Sequence, residues 1–260
     1  MKYISLKISL LLILAFLAGC SNDSPQDSNE EITLTVSAAA SLNEALTEIK
    51  AIYEEENDSV ELVLNFGGSG SLQQQIKQGA PVDIFISAAE QPFAELVSND
   101  LIDQSNQTEL IGNSLVLIAP MDSNLAAIEE LTKSSVKKVA VGTTDTVPAG
   151  HYAKQSLLSI DQWESISKKT VFTKDVRQVL TYVETGNVDA GFVYKTDAQA
   201  SEKVKIVTEL ADDSHDPIVY PAGVVKASKN HEHAVLFYHY LQTNNVQKIF
   251  EKYGFRVWKR

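Results

Sequence analysis

Apolar positions along the chain repeat with two different periods. Short runs that are alternating or wholly apolar recur at 32–39 ("ITLTVSAA"), 60–66 ("VELVLNF"), 83–89, 114–120 ("SLVLIAP"), 138–142 and 190–194 ("AGFVY"), which predicts strands. Between them the period lengthens. Leu42, Ala45, Leu46, Ile49, Ile52 and Tyr53 repeat at three and four residues, so 42–56 should be a helix with one apolar face. Val176, Val179, Leu180 and Val183 repeat the pattern, with Gly186 as the stop. Two further helical patterns, 231–242 and 246–255, close the chain and break at Gly254. Strands alternating with helices predict an α/β fold. The number of strand candidates exceeds what one doubly wound unit needs, so two lobes are expected. We place one at 32–112 with 220–260 and the other at 113–219, the chain crossing near 112–114 and 219–223.

The first twenty residues follow neither rhythm. Lys2 and Lys7 precede the apolar run "ISLLLILAFLAGC", which ends at Cys20, the single cysteine. The run is short for a membrane span, and Ala18 and Gly19 suit a processing site, so 1–20 reads as a signal peptide. "LAGC" resembles the lipobox of bacterial lipoproteins, which implies that Cys20 becomes the lipidated first residue and anchors the protein to the membrane. Residues 21–31, "SNDSPQDSNEE", have almost no apolar side chains and read as a flexible tether. Fully extended, that tether spans roughly 35 Å.

Charge narrows the class of partner. A net charge of −12 argues against a protein that grips nucleic acid or anionic lipid, so any anion must be held locally. Four segments could do so. "AAASLNE" has Ser41 and Glu44 in capping-box spacing, and Ser71 and Gln74 repeat that spacing after "FGGSGS". In "TVPAGHYAK", Pro148 suits a first helical position and leaves the N–H of Ala149 free. In "TKDVRQ", Asp175 suits a cap and Val176 the first turn. Each helix start carries a partial positive charge and unpaired N–H donors, so several aimed at one point make an anion site without Lys or Arg.

The segments "VSAAASLNEAL", "FGGSGSLQQQI", "GAPVDIFISA", "GNSLVLIAP", "VPAGHYAKQSL", "DVRQVL" and "GFVYKTDA", in that order, resemble the periplasmic molybdate-binding proteins of bacterial ABC transporters. The resemblance runs from about Ile32 to the end of the chain. It implies a two-lobed Venus-flytrap fold of the type II periplasmic-binding class, with a tetrahedral oxyanion, molybdate or tungstate, in the interlobe cleft. By motif position it assigns the oxyanion contacts to the hydroxyls of Ser41, Ser69 and Tyr194 and the N–H groups of Ala149 and Val176. No cofactor and no direct metal ligand is implied, and the protein should be a monomer whose partners are a membrane permease and its ATPase. Gly67, Gly68 and Gly70 stand where some relatives have serines, so this loop must work through Ser69 and its backbone.

Other chemistries fare worse. An enzyme with Ser69 or Ser71 as nucleophile would need a base, and "GGSGS" lacks both the G-x-S-x-G elbow and a following Gly-Lys-Ser/Thr. His231 and His233, which with His239 could be taken for a metal cluster, do not share a helix face at two-residue spacing, and Tyr194 alone is a poor case for a metal receptor of the same architecture. A receptor for sulfate or another tetrahedral oxyanion is the alternative that the residues leave open.

Overall fold

The computed structural model describes residues 31–258; Cys20, the expected signal segment and all of the expected tether except Glu31 lie outside them. The described strands form two sheets. In the first, β1 (Ile32–Ala39) runs parallel to β2 (Val60–Gly67) on one side and β3 (Ile84–Ile86) on the other. Beyond β3 the sheet continues through β10 (Val219–Val225), β4 (Ile102–Gly112) and β11 (Arg256–Val257), paired antiparallel. In the second, β5 (Leu115–Pro120) lies antiparallel between β9 (Val204–Glu209) and β8 (Ala190–Tyr194), and β8, β6 (Val139–Gly142) and β7 (Thr170–Thr173) are parallel.

The parallel strands determine where the helices begin. In the first sheet β1 leads through a 3-10 turn (Ala40–Leu42) into α1 (Asn43–Glu56), β2 into α2 (Ser69–Lys77) and β3 into α3 (Glu90–Ser98). In the second, β6 leads to α4 (Pro148–Ser159), which the short α5 (Trp163–Ile166) follows before β7; β7 leads to α6 (Val176–Glu184) and β8 to α7 (Lys195–Gln199). Helices after neighbouring parallel strands start at the same edge of their sheet, where ligands of such folds bind. The helices α8 (His231–Tyr240) and α9 (Asn244–Lys252) cover the first sheet's lobe, where Tyr53 of α1 packs edge-on against Phe237 and Tyr240, each at 4.8 Å between ring centres.

The 3.6-residue pattern holds where the apolar positions are dense. Ala45, Leu46, Ile49 and Tyr53 are buried under α1, and Val176, Val179, Leu180 and Val183 under α6. Each fully buried Leu, Ile or Val contributes about 1.5–3 kcal/mol over the exposed state. Gly186 and Gly254 end their helices with φ of +67° and +87°, in the left-handed region where a Cβ is strained.

Two capping expectations fail. Ser41 lies inside the 3-10 turn, α1 has Leu42 at its N-cap position, and no side chain caps either element. Likewise α2 begins at Ser69 behind Gly68, so Ser71 is inside the helix and caps nothing. In both places the backbone starts its turn earlier than the spacing predicts, so neither serine hydroxyl is spent on a cap. Asp175, by contrast, does cap α6, its Oδ1 accepting from the Gln178 N–H at 2.8 Å. Pro148 is the first residue of α4.

The two sheets meet where the chain crosses between them. Asn113 sits between β4 and β5, and its N–H donates to the Ile218 carbonyl at 3.2 Å, pairing the outgoing strand with the returning one.

Candidate functional site

Three helix starts and one strand end converge between the lobes. Ser69 opens α2, Ala149 is the second residue of α4 and Val176 the first of α6. The backbone N–H at such positions has no acceptor inside its own helix. Tyr194 ends β8 with its side chain wholly buried, and Ser41 closes the group from the turn after β1. All five residues named from sequence line one cavity of about 10 Å³, together with Gly68, Ala88 and Val147 among others. No Lys, Arg, His, Asp or Glu is among its lining residues. The field inside therefore comes from backbone and hydroxyl dipoles, which suits an anion and repels a bare cation.

The three hydroxyls already have partners within the protein. Ser69 Oγ accepts the Ala88 N–H at 2.9 Å. Ser41 Oγ lies 2.8 Å from the Tyr220 hydroxyl, so its partner is a side chain rather than the backbone N–H that sequence reasoning allowed. The Tyr194 hydroxyl donates to the Ala88 carbonyl at 3.4 Å, and that of Tyr152 reaches the same oxygen at 3.5 Å. Burial is the main cause that raises the Tyr194 hydroxyl well above its ordinary pKa, with Tyr220 and Tyr152 adding to it, so it stays a protonated donor.

Glycine lets the lobes meet. The Gly70 N–H donates to the Thr146 carbonyl at 2.9 Å across the cleft. A Cβ at Gly68 would sit 2.8 Å from the Lys174 oxygen and 2.9 Å from that of Thr146. At Gly70 it would sit 2.8 Å from the Thr146 Cα. Arg177, next to Val176, adds a charged strap: its Nη2 meets Glu44 Oε1 at 2.6 Å, and its Nη1 lies 3.8 Å from Asp197 Oδ1. Asp197 holds the start of α7 by accepting the Tyr194 N–H at 3.2 Å. Burial pushes its carboxyl up to about 7, against the pull of Arg177.

A second cavity, of about 490 Å³, opens beside the first and shares Val147 and Pro148 with it. Glu90, Asp145, His151 and Asp216 face it, so the mouth is acidic where the inner pocket is uncharged. Among the described residues no group of three or more His, Cys, Asp or Glu could hold a metal ion, and His231 instead pairs with Asp103 at 3.0 Å. Sequence reasoning missed Tyr220, Asn113 and Ala88. Only "VYPAG" hinted at the first, as a crossing segment rather than as a polar contact.

Residues 34–256 match the family model of bacterial extracellular solute-binding proteins. A Bacillus subtilis (strain 168) protein provisionally described as an ABC transporter substrate-binding lipoprotein, YvgL, is 49% identical over 98% of this chain and 98% of its own. The molybdate-binding protein ModA of Haemophilus influenzae is 37% identical over 85% of this chain and 89% of its own. Among solved structures, the substrate-binding domain of a provisionally assigned molybdenum ABC transporter from Clostridium difficile superposes with a TM-score of 0.67 at 42% identity. It covers 88% of this chain and all of that one.

Proposed function

Because the chain belongs to the bacterial extracellular solute-binding protein family, matched across residues 34–256, we propose that it is the receptor that captures molybdate, and tungstate with it, for an ABC importer. The family and the relatives named above are solute-binding receptors. Relatives called molybdate-binding proteins, at 37% identity, support the choice of ligand.

One observation carries the reading at the site. Ser41, Ser69, Ala149, Val176 and Tyr194 converge on one cavity with no charged side chain in its lining. We assign these five residues as the oxyanion contacts. Ser41 and Ser69 come from the lobe we draw as 32–112 with 220–260, and the other three from 113–219, so a bound anion joins the two and favours closure. Hydrogen bonds to a charged group contribute about 1.5–3 kcal/mol each, enough in sum for tight binding once desolvation and closure are subtracted. The partners on this reading are a permease and its ATPase, with the monomeric receptor held at the membrane by lipidated Cys20.

The test is titration of the soluble part with molybdate, tungstate, sulfate and hydrogen phosphate, followed by tryptophan fluorescence from Trp163 and Trp258 or by calorimetry. Tight, saturable binding of molybdate and tungstate with much weaker sulfate is expected. Tight sulfate binding without a molybdate response would instead make this a sulfate receptor.

A further inference from the structure

Ser41 is one end of a buried chain of hydrogen bonds. It begins at the crossing between the lobes, where the Ser114 N–H donates to Asn113 Oδ1 at 2.9 Å. A backbone N–H cannot accept, so this contact fixes which end of the Asn113 amide is oxygen. The Asn113 Nδ2, a donor only, then reaches Thr196 Oγ1 at 3.0 Å and the Tyr220 hydroxyl oxygen at 3.2 Å. The Tyr220 oxygen is thereby an acceptor; either hydroxyl of the Ser41–Tyr220 pair, 2.8 Å apart, could donate, and the Asn113 amide already on the Tyr220 oxygen favours Tyr220 as the donor. The adjacent hydroxyl, of Tyr194, is itself turned toward the Ala88 carbonyl. With its oxygen accepting from Tyr220, Ser41 has its own proton left for the pocket.

We propose that Tyr220 is a positioning residue that fixes Ser41 as a hydrogen-bond donor toward the pocket, and so makes the site select against oxyanions that carry a proton. The inference rests on the reading of this cavity as an oxyanion site. The other serine supports it, because Ser69 Oγ accepts the Ala88 N–H and is therefore polarised the same way by the backbone. With both serines presenting protons, Tyr194 turning its own from the long, weak Ala88 contact to the anion, and the N–H groups of Ala149 and Val176 beside them, the P–O–H of hydrogen phosphate would meet donors only. An unmatched buried donor is costly, whereas molybdate, tungstate and sulfate bring no such proton. Tyr220 is wholly buried and makes ring contacts to Tyr194 and Phe255 at 5.7 and 5.6 Å, which the phenyl ring of a Phe variant would keep.

The experiment compares wild type, Tyr220→Phe, Ser41→Ala and the double variant, each titrated at pH 8.5 with molybdate and with hydrogen phosphate and checked by thermal unfolding without ligand. In Tyr220→Phe the Ser41 hydroxyl is free to rotate and offer its lone pairs. Molybdate binding should weaken about tenfold while hydrogen phosphate changes less, so their ratio narrows by about the same factor. In the Ser41→Ala background, Tyr220→Phe should cost almost nothing further, because its effect passes through Ser41. Equal weakening of both anions, or additive costs in the double variant, would overturn the inference while leaving the receptor reading intact. If wild-type protein binds no tetrahedral oxyanion at all, the receptor reading falls and this inference with it.

Discussion

Replacing Gly70 with Ala should make the unliganded protein no less stable and yet weaken its grip on the anion. Gly70 is the second residue of α2, where Ala is favoured over Gly by about 0.5–1 kcal/mol. The three atoms nearest the added Cβ all belong to Thr146 across the cleft: Cα at 2.8 Å, O at 3.0 Å and C at 3.2 Å. Ordinary contact begins near 3.4 Å, so the cleft must open by roughly half an ångström at a point where the Gly70 N–H to Thr146 bond holds it shut. Overpacking of this kind costs about 1–3 kcal/mol, and here the closed state alone bears it. That predicts a dissociation constant raised about 5- to 150-fold. Calorimetric titration with molybdate gives the affinity, and a melting curve without ligand gives the stability. Unchanged affinity would show that binding does not require the lobes to meet at this contact. A fall in the unliganded melting temperature matching the lost affinity would show that the contact maintains the fold rather than closure.

Ser41→Ala and Tyr194→Phe should each weaken molybdate about tenfold or more with little change in circular dichroism; affinity unchanged in both would remove these hydroxyls from the site. Asp197 makes a prediction about pH. Its carboxyl stands at about 7 when folded and near 3.8 when unfolded, so between those values the native state holds the extra proton, and stability falls as pH rises from about 4 through 7. The full effect is about 4 kcal/mol before relaxation toward Arg177 is allowed for. Asp197→Asn should flatten that part of the stability profile, measured by denaturant unfolding at a series of pH values, and an unaltered slope would refute the assignment.

Much of the architecture was legible because its residues report their own environment. The runs 32–39 and 190–194 are the strands β1 and β8, since strands flanked by helices become wholly or alternately apolar. The strand β4, "IDQSNQTELIG", went unread because only its ends are buried and its polar middle is held by pairing to β10. A two-residue strand such as Arg256–Val257 carries no pattern at all. At the site, helix starts pointed to Ala149 and Val176 through local chemistry, and the motif resemblance pointed to the hydroxyls. The residues behind them were invisible. Tyr220 meets Ser41 across a separation of 179 positions, and Ala88 serves Ser69 through a backbone N–H that any residue but proline would supply. Side-chain identity announces a first contact, whereas what orients it depends on tertiary placement.

The Ala88 carbonyl takes on a second meaning when the receptor is considered as a messenger. It takes the hydroxyls of Tyr194 and Tyr152 from the opposite lobe at 3.4 and 3.5 Å, lengths at which a hydrogen bond is weak. At this carbonyl, closing on no cargo is thus rewarded only faintly, and an anion adds short, charge-assisted bonds to what the Gly70–Thr146 and Arg177–Glu44 contacts already supply. For the permease we propose as its partner, that difference sets the rate of false alarms. A receptor whose empty form seldom imitates its loaded form spares the ATPase from firing on nothing.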